Sequence, residues 1–299
     1  MGNCEIIARP SRIGPMVSKK ELPANNRALA RLLGSQSEPS NRPLELIFVR
    51  HGESEGNVAT DAAEHGDSSY FTKEFSQRHS STYDLTPRGV GQSRAAGKWI
   101  TANINGGKFD AYYCSTYVRA RKTAGYLGLP GARWYIRDYI REHDWGNLDA
   151  MTDEERWAKY PEVMRKRDIS KFYFASPGGE SMADMAVRVR VGILTTLYRD
   201  LPNGRGIVVT HGNVMWPIRI IMEGWLPEEF QALRDRHDPK DKIYNCQILQ
   251  YTRIDPVSGE ISEKFGWVRS VCPWDLSLSP NKWQEVAHKK YTNEELVAM

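Results

Sequence analysis

An α/β fold on a central sheet is what the sequence predicts, and three observations predict it. Two short, almost wholly apolar runs, LELIFV at 44–49 and GIVVT at 206–210, have the composition of strands buried on both faces. Strand-like and helix-like segments alternate through most of the chain. The helical segments also open with cap chemistry. The architecture expected is a three-layer α/β/α sandwich with a mostly parallel central sheet.

The elements follow in order. Residues 1–43 are rich in Pro, Ser and Asn, with one helical candidate in NNRALARLLG, where Asn26 serves as N-cap and Gly34 follows the end. This reads as a basic arm ahead of a domain at 44–255. After the strand at 44–49, LTPRGVGQSRAAGKWI reads as a helix with Thr86 as N-cap and Pro87 in its first turn. FDAYYCS (109–115) is the next strand, and a helix through YVRARKTAGYLG follows. RWYIRDYI (133–140) has strand composition, and TDEE opens a helix with a capping box from Thr152 to Glu155. ESMADMAVRVRVGILTTLYRDL is a long amphipathic helix, and GIVVT is the second double-buried strand. YNCQILQYTRI and KFGWVRSV resemble a late strand pair. Residues 256–299 are expected to be an extension packed on the domain, with Trp274 and Trp283 covering core.

Composition narrows the function classes. At 299 residues, 40% hydrophobic and 26% charged, the chain has the make-up of a globular protein. No apolar run reaches the roughly 18 to 20 residues of a membrane helix. The first residues lack a signal-peptide core, and Ile6 stands where an acylation pattern requires Ser or Thr. Four widely spaced cysteines show no metal-ligand spacing and suggest free thiols in a reducing cytoplasm. The net charge of +4 resides in residues 1–43, and the remainder is neutral, so a basic face for nucleic acid is not expected.

The chemistry concentrates at strand ends. Residues 47–57, IFVRHGESEGN, deliver Arg50 and His51 to the end of the first strand. VVTHGN delivers His211, Gly212 and Asn213 to the end of another. STYVRARKTA places Arg119 in the first turn of a helix, and YIREHDWGN supplies Glu142 after a fourth strand. Open α/β sheets bind ligands at such ends. Singly, each residue is better explained by solvent or a structural hydrogen bond; together and in order they are not.

Six segments then match one pattern in order: RHGESEGN, LTPRGVGQ, STYVRARKTA, EHDWG, PGGES and THGN. By these motifs the chain resembles the histidine phosphatase superfamily, also called phosphoglycerate-mutase-like, over about residues 44–252. The resemblance implies that His51 is the nucleophile of a phosphohistidine, which splits phosphoryl transfer into two easier displacements. It implies that Arg50, Arg119 and His211 clamp the phosphoryl group. Arginines suit that task because they fork onto phosphoryl oxygens and keep the attacking imidazole neutral. Asn57 and the backbone of Gly212 and Asn213 would add donors.

Glu142 would protonate the leaving oxygen and then activate water. A phosphate dianion beside it favours the protonated carboxyl by like-charge repulsion. Asp144 is a rival, but the resemblance favours Glu142, whose spacing to Gly146 matches the family's E-x-x-x-G. No metal and no cofactor are required, since arginines and histidines do the neutralising. Glu53 and Ser54 are expected to shape the loop, Glu180 and Ser181 to open the long helix, and Arg121 to face solvent.

Three functions compete: a phosphomonoester hydrolase, a phosphoglycerate-type mutase, and a non-catalytic member that binds phosphorylated ligands or proteins. Every expected catalytic position is filled, which disfavours the third. Mutases of the family continue from RHGES into Trp-Asn and an R-F-T-G-W segment, whereas this chain runs EGNVATDAAEHGDSSYF. A hydrolase of phosphorylated small molecules is therefore expected. Residues 58–83, long for a connection and carrying four aromatic residues, are expected to wall the substrate pocket.

Overall fold

The structure is a computed structural model that describes residues 42–236 and 238–299. The short helix expected within residues 1–43 lies outside the described residues. Seven strands form one sheet: β1 (Glu45–Arg50), β2 (Ala111–Ser115), β3 (Trp134–Arg137), β4 (Arg205–Thr210), β5 (Ile248–Thr252), β6 (Trp267–Val271) and β7 (Trp283–Glu285). Their order is β3-β2-β4-β1-β5-β6-β7. The half from β3 to β1 is parallel, and β5, β6 and β7 continue it antiparallel. The sheet is thus mixed, and all the strands that carry site motifs lie in its parallel half.

Period-two alternation divides each central strand between two cores. Leu46 and Phe48 join Val208, Met185 and Met215 on one face, while Ile47 and Val49 join Ile207, Val209, Ile100 and Ala124 on the other. Each large side chain fully buried this way stabilises the fold by about 1.5–3 kcal/mol. Helices Pro87–Asn103 and Val118–Tyr126 cover one face. The other is covered by Gly212–Glu223 and by Met182–Val189, which runs on through a π turn at Arg190–Leu194 into Thr195–Asp200. The three-layer α/β/α expectation holds. The cap chemistry is as read: the Thr86 hydroxyl accepts from Gly89 N–H at 3.0 Å, and Thr152 with Glu155 closes a reciprocal box.

The segment after residue 255 contributes β6 and β7 to the sheet. From it the Trp274 indole donates to the Asn245 carbonyl at 2.6 Å. No helix among the described residues is long and apolar enough to cross a membrane.

Candidate active site

The turn after β1 is fixed by contacts from the other motifs. Gly52 N–H donates to Thr123 Oγ1 at 2.9 Å, and Glu53 N–H donates to Gln92 Oε1 at 2.9 Å. Gly89 lies so close to this turn that a Cβ would stand 2.0 Å from the Glu53 carbonyl oxygen. The Gly89 and Gln92 of LTPRGVGQ and the Thr123 of STYVRARKTA are therefore the scaffold of the RHG loop. Glu53 accepts from Thr86 and pairs with Arg88, as suits a loop-shaping residue.

His51 is buried, and its two ring nitrogens are in different situations. Nδ1 lies 2.6 Å from the Gly52 carbonyl, an acceptor only, so Nδ1 carries the hydrogen. Nε2 then holds a lone pair, which accepts from Arg119 Nε at 3.0 Å. Burial, followed by the charges of Arg119 and Arg50, drives the His51 pKa well below 6.5. The imidazole is neutral, with its lone pair facing the pocket.

His211 comes from the adjacent strand, since β1 and β4 pair with Arg50 opposite Thr210. It too is buried and held neutral, by burial and then by Arg119, His51 and Arg50. The two imidazoles meet edge to face with centroids 5.1 Å apart. His211 Nε2 lies 2.8 Å from Ser115 Oγ, which already accepts from Tyr117 N–H. The Ser115 hydroxyl can either donate or accept there, and the Glu142 carboxylate on the Nδ1 side favours the tautomer with the hydrogen on Nδ1 and Ser115 donating to Nε2. That Nδ1 is buried without a hydrogen-bond partner, 3.8 Å from Glu142 Oε2. Arg50 Nε is likewise buried and unpartnered, against Gly212, where a Cβ would approach it to 3.1 Å. Gly212 and Asn213 form the first turn of a helix, whose amino end favours anions.

Glu142 stands on a loop that the PGGES segment holds. Glu180 pairs with Arg188, and Arg188 also donates to the carbonyls of Tyr139 and Arg141. Glu180 N–H donates to the Asp144 carbonyl at 3.0 Å, and His143 Nε2 donates to the Glu180 carbonyl at 2.7 Å. Gly146, at φ +48°, packs so tightly that a Cβ would meet the Pro177 carbonyl oxygen at 2.4 Å. Asp144 is exposed and spends its carboxylate on Gly146 N–H, whereas Glu142 lines the cavity. Ser181 caps its helix as expected, but Glu180 serves the Glu142 loop as well.

His51, Arg119, Glu142, Asn57 and Asn213 line one cavity of about 160 Å³. Asn57 Oδ1 accepts from Ser54 and from Asn245 Nδ2, which leaves its amide nitrogen for the cavity. Phe71, Phe75 and Tyr83 of the 58–83 segment stand in its wall, stacked or edge on. That segment is helical at Glu55–Glu64 and Lys73–Gln77 rather than a loose connection. Its Arg78 turns away to pair with Glu55 at 2.7 Å.

Sequence reasoning missed Asn245, Trp145, Asp149 and Arg156. Asn245 donates to the His51 carbonyl at 3.1 Å and steadies Asn57, yet no local pattern marks it. The other three line the cavity. Trp145, inside EHDWG, was the only one a motif could have flagged.

The arrangement combines buried unpartnered donors, two arginines and a helix amino end around a neutral imidazole, which suits a tetrahedral oxyanion. Among the described residues, His51, Glu142 and His211 are also a group whose potential metal ligands lie within 4.8 Å of one another. A cation fits there poorly, because Arg119 occupies the His51 lone pair and both guanidinium charges repel it.

Comparison with known proteins shows the family and the fold. The family described as histidine phosphatase superfamily (branch 1) matches residues 46–250. A 2,3-bisphosphoglycerate-dependent phosphoglycerate mutase of Azorhizobium caulinodans is 28% identical over 61% of this chain and 83% of its own length. A phosphoglycerate mutase-like protein of Arabidopsis thaliana is 27% identical over 84% of this chain and 79% of its own. Among solved structures, a mycobacterial glucosyl-3-phosphoglycerate phosphatase in complex with VO3 superposes with TM-score 0.51 at 21% identity, covering 70% of this chain and 92% of that one.

Proposed function

Because the chain belongs to branch 1 of the histidine phosphatase superfamily, we propose that it is a phosphomonoester hydrolase working through a phosphohistidine on His51. The observation that carries the reading is the state of His51: neutral, with Nε2 at the cavity and its lone pair accepting from the Arg119 guanidinium. In the first step Nε2 attacks phosphorus, the ester P–O bond breaks, and Glu142 gives its proton to the leaving oxygen. In the second step water attacks the phosphohistidine, Glu142 takes its proton, and the P–N bond breaks to release phosphate.

Arg50, Arg119 and His211 Nδ1–H hold the phosphoryl oxygens throughout, with Asn57 and the backbone of Gly212 and Asn213 as further donors. Their charge takes the part a metal ion plays elsewhere, so chelators are expected to leave turnover unchanged.

A mutase reading draws on the phosphoglycerate mutases among the relatives. The absent R-F-T-G-W segment weighs against it. A panel of phosphorylated metabolites, nucleotides and phosphopeptides assayed for phosphate release, beside glycerate phosphates assayed for internal transfer, separates the two. Release without transfer is expected; transfer without release contradicts the proposal.

A further inference from the structure

The reacting groups occupy the floor of the cavity, and its outer wall is chemically uneven. Phe71, Phe75 and Trp145 supply flat apolar surface. Two charged side chains join them, Asp149 and Arg156, and they are not equally available. Arg156 is committed: Nε donates to the Leu148 carbonyl at 3.1 Å, Nη1 pairs with Asp153 at 3.0 Å, and the guanidinium lies over the Trp145 ring. Asp153, which it shares with Arg167, offsets part of its charge. The Asp149 carboxylate, half-buried in the wall, has no described hydrogen bond or ion pair.

Its placement is also enforced. Leu148, fully buried, anchors the chain on one side of it. On the other side Ala150 adopts φ +52°, a left-handed conformation that costs a non-glycine residue about 1–2 kcal/mol and points to a functional constraint. The Asp149 charge bears on both ends of the pocket. After burial it is the next cause that pushes the Tyr83 phenol of the wall up to about 12. It is also among the anions that favour the charged form of Arg119 against burial.

Resting on the hydrolase reading above, we propose that Asp149 and the aromatic wall select the organic part of the substrate. They favour phosphomonoesters with a flat, apolar body that ends in a hydrogen-bond donor, best a cationic one, and they disfavour a second anionic group. A flat body stacks on Phe71, Phe75 or Trp145. A donor at its far end pairs with the one unengaged carboxylate of the wall, and an anion there meets like charge. Binding energy gained remote from the phosphorus then separates substrates that share the same phosphate.

Three phenyl phosphates test this, each with a two-carbon para arm ending in an ammonium, a methyl or a carboxylate. The arm keeps the leaving groups alike, so kcat/KM reports recognition. The ammonium ester should exceed the carboxylate ester by tenfold or more, with the methyl ester between them. Asp149→Asn should shrink that ratio below about threefold, and Asp149→Glu should restore much of it. Equal rates in the wild type, preference for the carboxylate ester through Arg156, or an unchanged ratio in Asp149→Asn overturns the inference. If no ester releases phosphate, the hydrolase reading fails instead. The matching benzylphosphonates, titrated by calorimetry, then decide the inference by whether they bind in the same order.

Discussion

His51 and His211 are two buried imidazoles facing two arginines, and that pairing has a cost at low pH. Burial and the arginine charges hold both well below the ordinary value of 6.5. Below about pH 6.5 the unfolded chain takes up protons that the folded chain refuses. Stability is therefore fully present above that pH and falls as pH drops toward the folded values, by about 1.4 kcal/mol per unit for each histidine. Thermal unfolding between about pH 7 and pH 5 should show a steeper loss for the wild type than for the His51→Asn, His211→Asn double variant. Parallel slopes would contradict the neutral assignment. Glu142 and Asp144 are separable at the same scale. Glu142→Gln should slow alkyl phosphates far more than nitrophenyl phosphate, whose leaving group departs without a proton. Asp144 lies outside the cavity, bonded to Gly146 N–H, so Asp144→Asn should show no such dependence.

The elements show what the motifs are for. On the proposed reading His51, Arg50, Arg119, Glu142, Asn57 and the HGN turn do the chemistry, while Gln92, Thr123, Gly89, Gly146 and Glu180 bind one motif to another. The strand ends and helix caps were legible because short continuous apolar runs and Thr-Pro or Thr-x-x-Glu starts are local signals. Asn245 was not legible, because it reaches the site through contacts with His51 and Asn57, 194 and 188 positions away. Phe71, Phe75 and Tyr83 of the 58–83 segment line the cavity, whereas the cationic Arg78 is drawn off by Glu55, 23 positions away and without a local marker. Phe71→Ala with Phe75→Ala should lower kcat/KM for the best natural substrate by about tenfold, roughly 1.4 kcal/mol, and barely change nitrophenyl phosphate. Equal effects on both would make the segment a structural brace rather than a recognition wall.

At the scale of the whole molecule, the parallel half of the sheet is a platform that brings four strand ends together. β1 supplies the His51 loop, β4 the second histidine, β2 the Arg119 helix and β3 the Glu142 loop. The antiparallel half supports it from behind, since Trp274, after β6, holds Asn245 against the His51 loop. Long-range pairing of this kind is set by topology, so KFGWVRSV was legible as the strand that became β6, whereas β7, three residues around Trp283, was read only as apolar cover. The central claim is that phosphate passes through His51. Rapid quenching with a phosphomonoester labelled at phosphorus tests it most directly. The wild type should yield an acid-labile, base-stable phosphoprotein whose label maps to the peptide containing His51, and His51→Ala should yield neither label nor turnover. Steady turnover by His51→Ala, or label on another residue, would contradict the account.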